Sequence, residues 1–335
     1  MSSAPTADAI ARDATWLAQA LDPTEGAARL VAMDRDSYRA ASFLDDRLLQ
    51  APVDAQIVQW TLIEEAVSGE MRSDARWIFH IGHVGSTLVS RLLGEIEGVL
   101  SIREPRLLRD LALTPADVRG RYLAPVPKLM SRTFAEEEVA CVKATSFASE
   151  IAPELVPPGQ RSLFLYATPR NYIASILAGE NSVKEMQILA GSRAQRLNAR
   201  GIYLPAQNEA GMAALGWAAE MTALEAAAEA MTDRPIRWAD FDAMLADIEL
   251  AIVHTASFFH ITFDAADVGR IMGGPLMARY SKALEYEYSP KLRRELIGEA
   301  SERFGPDIDA ALAMLKSAAE KSPLLERALA RAEGN

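Results

Sequence analysis

Residues 77–93, Trp-Ile-Phe-His-Ile-Gly-His-Val-Gly-Ser-Thr-Leu-Val-Ser-Arg-Leu-Leu, constrain this chain more than any other stretch. A short apolar run reads as a buried strand and stops at Gly82. Leu88, Val89, Leu92 and Leu93 then recur at helical spacing. A strand, a glycine-bearing turn and a helix in that order leave main-chain amides pointing outward, where the helix dipole adds partial positive charge. Gly82 and Gly85 tolerate positive φ, so the backbone can curl around an oxyanion, and Ser86 and Thr87 add hydroxyls. The turn departs from the G-x-x-x-x-G-K-[ST] pattern of nucleoside triphosphate loops, because position 80 is His and position 86 is Ser. That departure counts against hydrolysis of ATP or GTP with a loop lysine. The plain alternative is a turn that merely closes a βα unit.

Further strands are predicted at 99–102, 139–142, 162–167 and 234–238. Helical patterns lie between and after them, at 105–113, 148–155, 172–190, 211–231 and 241–259. Strands alternating with helices predict an α/β fold, a parallel sheet flanked by helices. The Ala-rich stretch 213–230 is a good helix former. The first 70 residues read differently. Ile10, Trp16, Leu17 and Leu21, then Ile57, Trp60, Leu62, Ile63 and Val67, fall at helical spacing. The expectation is a helical N-terminal extension, 1–70, on one integrated α/β unit, 71–335. At 335 residues the chain suits a single doubly wound domain with helical additions.

A formal net charge of -11 disfavours broad binding to nucleic acid or to anionic membranes. Cys141, the one cysteine, sits in an apolar run and reads as a small buried hydrophobe, with no disulfide or cysteine metal site within the chain. The start lacks a basic segment followed by a long apolar one, and no stretch approaches the roughly 20 apolar residues of a membrane span. A cytoplasmic location is the default expectation.

The loop resembles the one with which sulfotransferases grip the 5′-phosphate of their sulfate donor PAPS, of the form Y-P-K-S-G-T-T-W. Laid ungapped on residues 81–88, Gly85 and Thr87 match, Ser86 is a conservative replacement, and His83 falls on the family's phosphate-contacting lysine. The resemblance implies a P-loop three-layer sandwich, in which Gly82, His83, Val84, Gly85, Ser86 and Thr87 hold the 5′-phosphate, with no metal. His80, on the strand, reads as a packed core histidine. Residues 162–177 look like the family's second donor element, R-N-P-K-D-V-A-V-S. Pro169 and Ser175 match, Arg170 falls on the lysine and Asn171 on the aspartate. Ala167 stands where the family has an arginine for the 3′-phosphate. Arg170 with Ser175, or Arg279 and Lys282 from a late basic segment like the family's R-K-G-x-x-G-D-W, are the expected replacements.

Sulfuryl transfer also needs a base for the acceptor's proton. Glu104 follows the second strand, where α/β sites collect. It resembles the glutamate base of protein-tyrosine and some bacterial sulfotransferases. Arg103 and Arg106 flank it and could bind phosphate or pair with it. Lys143 matches the lysine of the small-molecule enzymes' K-T-H motif, but Thr145 replaces the histidine, so Lys143 is expected to steady the leaving phosphate. The resemblance spans about residues 76–282. It implies a sulfotransferase acting on a hydroxyl of a small molecule or peptide, with the acceptor wall drawn from 115–135 and 180–210. Two other readings stay open: an ATP-dependent phosphotransferase of the same fold, with Asp240 as a possible Mg²⁺ ligand, and a non-catalytic nucleotide-binding protein. Binding of Mg-ATP, or of no nucleotide, would separate them.

Overall fold

A computed structural model describes residues 4–277 and 290–334. Eight strands form two sheets: β1 (Trp16–Asp22), β2 (Ala27–Ala32) and β3 (Ala55–Gln59) in the first, and β4 (Arg76–His80), β5 (Val99–Arg103), β6 (Val139–Lys143), β7 (Ser162–Tyr166) and β8 (Ile236–Asp240) in the second. The second sheet is all parallel, in the order β5-β6-β4-β7-β8. β4 to β7 are buried almost throughout and carry apolar runs, as strands covered on both faces must, whereas the edge strand β8 is only part-buried. Helix Ser86–Leu93 packs on β4, β5 and β6, while Glu209–Ala230 and the 3₁₀ turn Ser146–Ile151 pack against β4 and each other. The helix-flanked parallel sheet is the one expected.

Topology fixes where a site can lie. From β4 the chain crosses over β6 to reach β5 at the edge and returns to β6. It then crosses to the other side of β4 for β7 and β8. The direction of winding reverses at β4, so the crevice of a doubly wound sheet opens beyond its carboxyl end. The turn at residues 81–85 occupies that place. Phe79, Phe164 and Trp238 stand in register across β4, β7 and β8 and meet edge to face, at ring separations of 5.7 and 5.0 Å. They stiffen the floor beneath the crevice.

The first 70 residues are not the expected helical extension. The stretch expected as a helix over 9–21 holds the short helix Ala7–Arg12 and then β1; the stretch over 57–67 holds the end of β3 and helix Trp60–Ala66. β1, β2 and β3 pair antiparallel. Six consecutive β1 residues are buried, because helix Arg106–Leu113 packs on this strand, so no in-out alternation marks it in the sequence. The turn Asp22-Pro-Thr-Glu-Gly26 did carry a hairpin signal. Asp22 accepts from the amides of Thr24 and Glu25 at 2.9 and 3.1 Å, and Gly26 sits at φ 61°. Other helices divide where a polar residue or Pro intervenes: at Asp247, which caps Ile248–Phe258, and at Ser322-Pro323, between Gly305–Ala319 and Pro323–Glu333. The helix over 148–155 is a 3₁₀ turn running into one short α turn, Ala152–Leu155.

Candidate active site

The loop after β4 is wound as an anion cradle. Gly82, His83 and Gly85 take φ of 79°, 53° and 59°. Left-handed residues on either side of Val84 turn neighbouring amides to one side. Gly85 has no substitute: a Cβ there would lie 1.7 Å from the Phe241 ring. Helix Ser86–Leu93 starts at Gly85 with no side-chain cap. Thr87 is 1% exposed, and its Oγ1 has no hydrogen-bond partner among the described residues. Helix starts are usually capped and buried hydroxyls usually satisfied, so the two together mark a place that an oxyanion would complete.

His80 is more than core packing. It is 5% exposed; its Nδ1 accepts the Gly82 amide at 3.0 Å, which leaves the ring proton of the neutral form on Nε2. Nε2 faces Glu104 Oε1 at 3.6 Å. Lys143, 1% exposed, donates from Nζ to the same carboxylate oxygen. Arg103 and Lys143 are register partners on neighbouring strands, so Glu104 leaves β5 beside the lysine, and its amide donates to the Lys143 carbonyl at 2.7 Å. Burial works to raise the Glu104 carboxyl, but the Lys143 ammonium and His80 outweigh it and hold it well below the usual carboxylate range. Like His83, Glu104 is left-handed without being glycine, at φ 52°. Such conformations cost about 1–3 kcal/mol and collect at working sites.

Phe43 was not among the residues expected at the site. Its ring lies 5.2 Å from Lys143 Nζ, so the N-terminal region supplies a wall of the site. No local signal marks it, since it approaches from 100 positions away through Leu44, whose amide bonds the Arg103 carbonyl at 2.8 Å.

The remaining expected residues divide. His83 belongs to the loop, yet its ring turns to helix Glu180–Ala199, 3.5 Å from both Ser182 Oγ and Glu185 Oε2. This places part of the expected acceptor region against the loop. Arg170 is drawn away by an ion pair with Asp309, and Ser175 bonds its own helix, at the Tyr172 carbonyl, 2.8 Å. Each thus has a partner within the chain. Arg103 and Arg106 also leave Glu104 alone. Arg103 donates to the Tyr38 and Ala41 carbonyls, and Arg106 to Asp46 and Asp110. Asp240 caps the next helix through the Asp242 and Ala243 amides. Ala167 is wholly buried and its carbonyl accepts from Trp217 Nε1 at 2.9 Å, so an arginine has no room there. Arg279 and Lys282 lie outside the described residues. A cation that sequence reading missed is Arg293. It stacks on the Phe241 ring at 5.1 Å, bonds Asp242 at 3.0 Å, and keeps a buried Nη2 with no partner among the described residues. Asn171 holds the other oxygen of Asp242 at 3.0 Å.

No family model matches this chain, and no curated protein matches it. In structure it is similar to the sulfotransferase domain of the curacin biosynthetic pathway, at 11% identity and a TM-score of 0.42, over 74% of this chain and 99% of that one. It is also similar to the sulfotransferase domain of the Synechococcus PCC 7002 olefin synthase, at 12% identity and 0.39, over 71% and 98%. A third is mouse sulfotransferase SULT7A1 complexed with PAP, at 9% identity and 0.39, over 78% and 90%. At such scores the fold class rests on the strand order and register of this chain. Among the described residues, no helix is long and apolar enough to cross a membrane.

Proposed function

We propose that the chain is a PAPS-dependent sulfotransferase that transfers a sulfuryl group to a hydroxyl of a small molecule or peptide. The observation that carries this reading is the uncapped start of helix Ser86–Leu93, with the buried Thr87 hydroxyl lacking a partner, one strand away from the Lys143–Glu104 pair. The choice of donor is supported by the loop's resemblance, Gly85 and Thr87 above all, and by Ser86 where a triphosphate loop carries lysine.

The amides and hydroxyls of residues 85–87 would bind the donor's 5′-phosphate, and Arg293 would take the part that the resemblance gives Arg170. The donor supplies a sulfuryl group and a stable phosphate leaving group. A bond forms from the acceptor oxygen to sulfur as the bond from sulfur to the phosphate oxygen breaks, and its electron pair leaves on the phosphate. Lys143 and the loop amides stabilise that charge. The acceptor proton goes to Glu104. While Lys143 holds it, Glu104 is a weak base; an anion in the loop competes for the ammonium and returns the carboxylate toward ordinary basicity.

Calorimetry and thermal melts with PAP, ATP and ADP test the reading. A ligand at 100 times its Kd stabilises by about 2.7 kcal/mol. PAP should do so and ATP should not, and Thr87→Val should weaken PAP by roughly tenfold or more, the worth of a hydrogen bond to a charged group. Glu104→Gln should keep PAP binding and lose transfer. Equal stabilisation by Mg-ATP would point to a phosphotransferase, and no response to any nucleotide to a protein without donor chemistry.

A further inference from the structure

We propose that a second site, a cleft of about 850 Å³ beside the outer edge of β5, binds a small oxyanion between Arg91 and Arg103. The cleft is distinct from the loop. It opens at the amino ends of β5 and β6, by Gly98, Val99 and Val139, and runs along β5 as far as Arg103, the residue before Glu104; none of the loop residues 81–85 lines it. Helix Ser86–Leu93 connects the two, its first turn at the loop and Arg91, in its last turn, at the cleft.

Five arginines line this cleft, with five carboxylates, Glu95, Glu97, Glu137, Glu138 and Asp267. Three are ion-paired: Arg35 with Glu138, Arg39 with Glu95 at 3.8 Å and Arg270 with Asp267 at 2.7 Å. Arg91 and Arg103 are the buried ones, 5% and 1% exposed, and neither has an ion pair among the described residues. They converge on adjacent residues. Arg103 Nη2 donates to the Ala41 carbonyl at 2.6 Å and Arg91 Nη1 to Ser42 Oγ at 2.8 Å. Arg91 Nε is buried with no partner among the described residues. Burial, then repulsion from Arg91, push the Arg103 guanidinium down to about 9, with Glu95 offsetting part. Burial likewise lowers Arg91. Two buried guanidiniums that repel each other beside a cleft, one with an N–H left over, are what a carboxylate or phosphate group would neutralise.

Hydrogen exchange of the full chain, mapped by peptide, with inorganic phosphate or with succinate as probe, tests this. Binding should protect residues 35–42 and 94–103. Protection by phosphate alone assigns a phosphate ligand, and by succinate alone a carboxylate. Arg91→Met keeps the aliphatic stem and removes a buried charge that lacks a carboxylate, so it should fold and lose that protection. If it does not fold, the wild-type map with the two probes decides. Protection confined to residues 81–90 overturns the second site while leaving the loop reading intact. Protection of neither region by either anion overturns it as well, and retained protection in Arg91→Met does the same.

Discussion

Glu104 joins backbone strain, a buried partner and a displaced titration at a single residue. Its carboxylate neutralises Lys143, which is 1% exposed. Removing one member of a buried pair costs about 3–5 kcal/mol, because the other charge stays behind. Glu104→Gln should therefore destabilise the chain by that order at neutral pH, and Glu104→Gln with Lys143→Met should recover most of it. The pH dependence has a definite sign. A carboxyl held low in the folded state contributes stability above its ordinary value of 4.5, and that contribution drains away as pH falls toward the folded value. Urea titrations at pH 7 and near pH 3.5 should thus give a smaller gap between wild type and Glu104→Gln at the acid end. A gap of equal size at both would mean the pair contributes nothing electrostatic.

At the scale of elements, the loop and its helix were legible and the N-terminal strands were not. All five strands of the parallel sheet were expected to within two residues, four of them as short apolar runs closed by a turn and β8 from its place in the strand–helix alternation. Glu104 and Lys143 could be placed together because both end strands of one sheet. β1 was missed because neighbours cover both of its faces, and Phe43 because its contact depends on tertiary packing alone. Arg170 looked available for the same reason: Asp309 lies 139 positions away. The loop itself makes a demanding test. Gly85→Ala forces a side chain to φ 59° and into the Phe241 ring. The backbone term alone is about 1–2 kcal/mol, and overpacking adds about 1–3. Gly85→Ala should lower the melting temperature and abolish PAP binding, while Phe241→Leu in the same chain should restore part of the stability. Wild-type stability in Gly85→Ala would show that the turn is not wound as described.

Across the whole molecule, charge is placed against the average. A chain of net charge -11 keeps Lys143 and Arg293 beside its crevice, each paired with a carboxylate, and locks one helical layer with a buried ionic cluster. Glu220, wholly buried on helix Glu209–Ala230, accepts from Arg193 at 3.2 Å and from Arg196 at 2.6 Å, both on helix Glu180–Ala199. Arg196 and Arg200 reach on to Glu150 in the 3₁₀ turn beneath. The cluster joins three elements and backs the helix that faces His83. Burial would raise the Glu220 carboxyl, but Arg196 and Arg193 hold it low, so it is charged at neutral pH. Glu220→Gln leaves two arginines against a neutral amide in a desolvated layer and should cost about 3–5 kcal/mol. The exposed pair Arg327–Glu229, at 2.8 Å, is the control: Arg327→Ala should change stability by less than about 1 kcal/mol. Chemical denaturation of the two variants side by side checks this. If Glu220→Gln cost no more than Arg327→Ala, the cluster would be hydrated in solution, and the support behind the His83 wall would have to come from the apolar packing of the two helices instead.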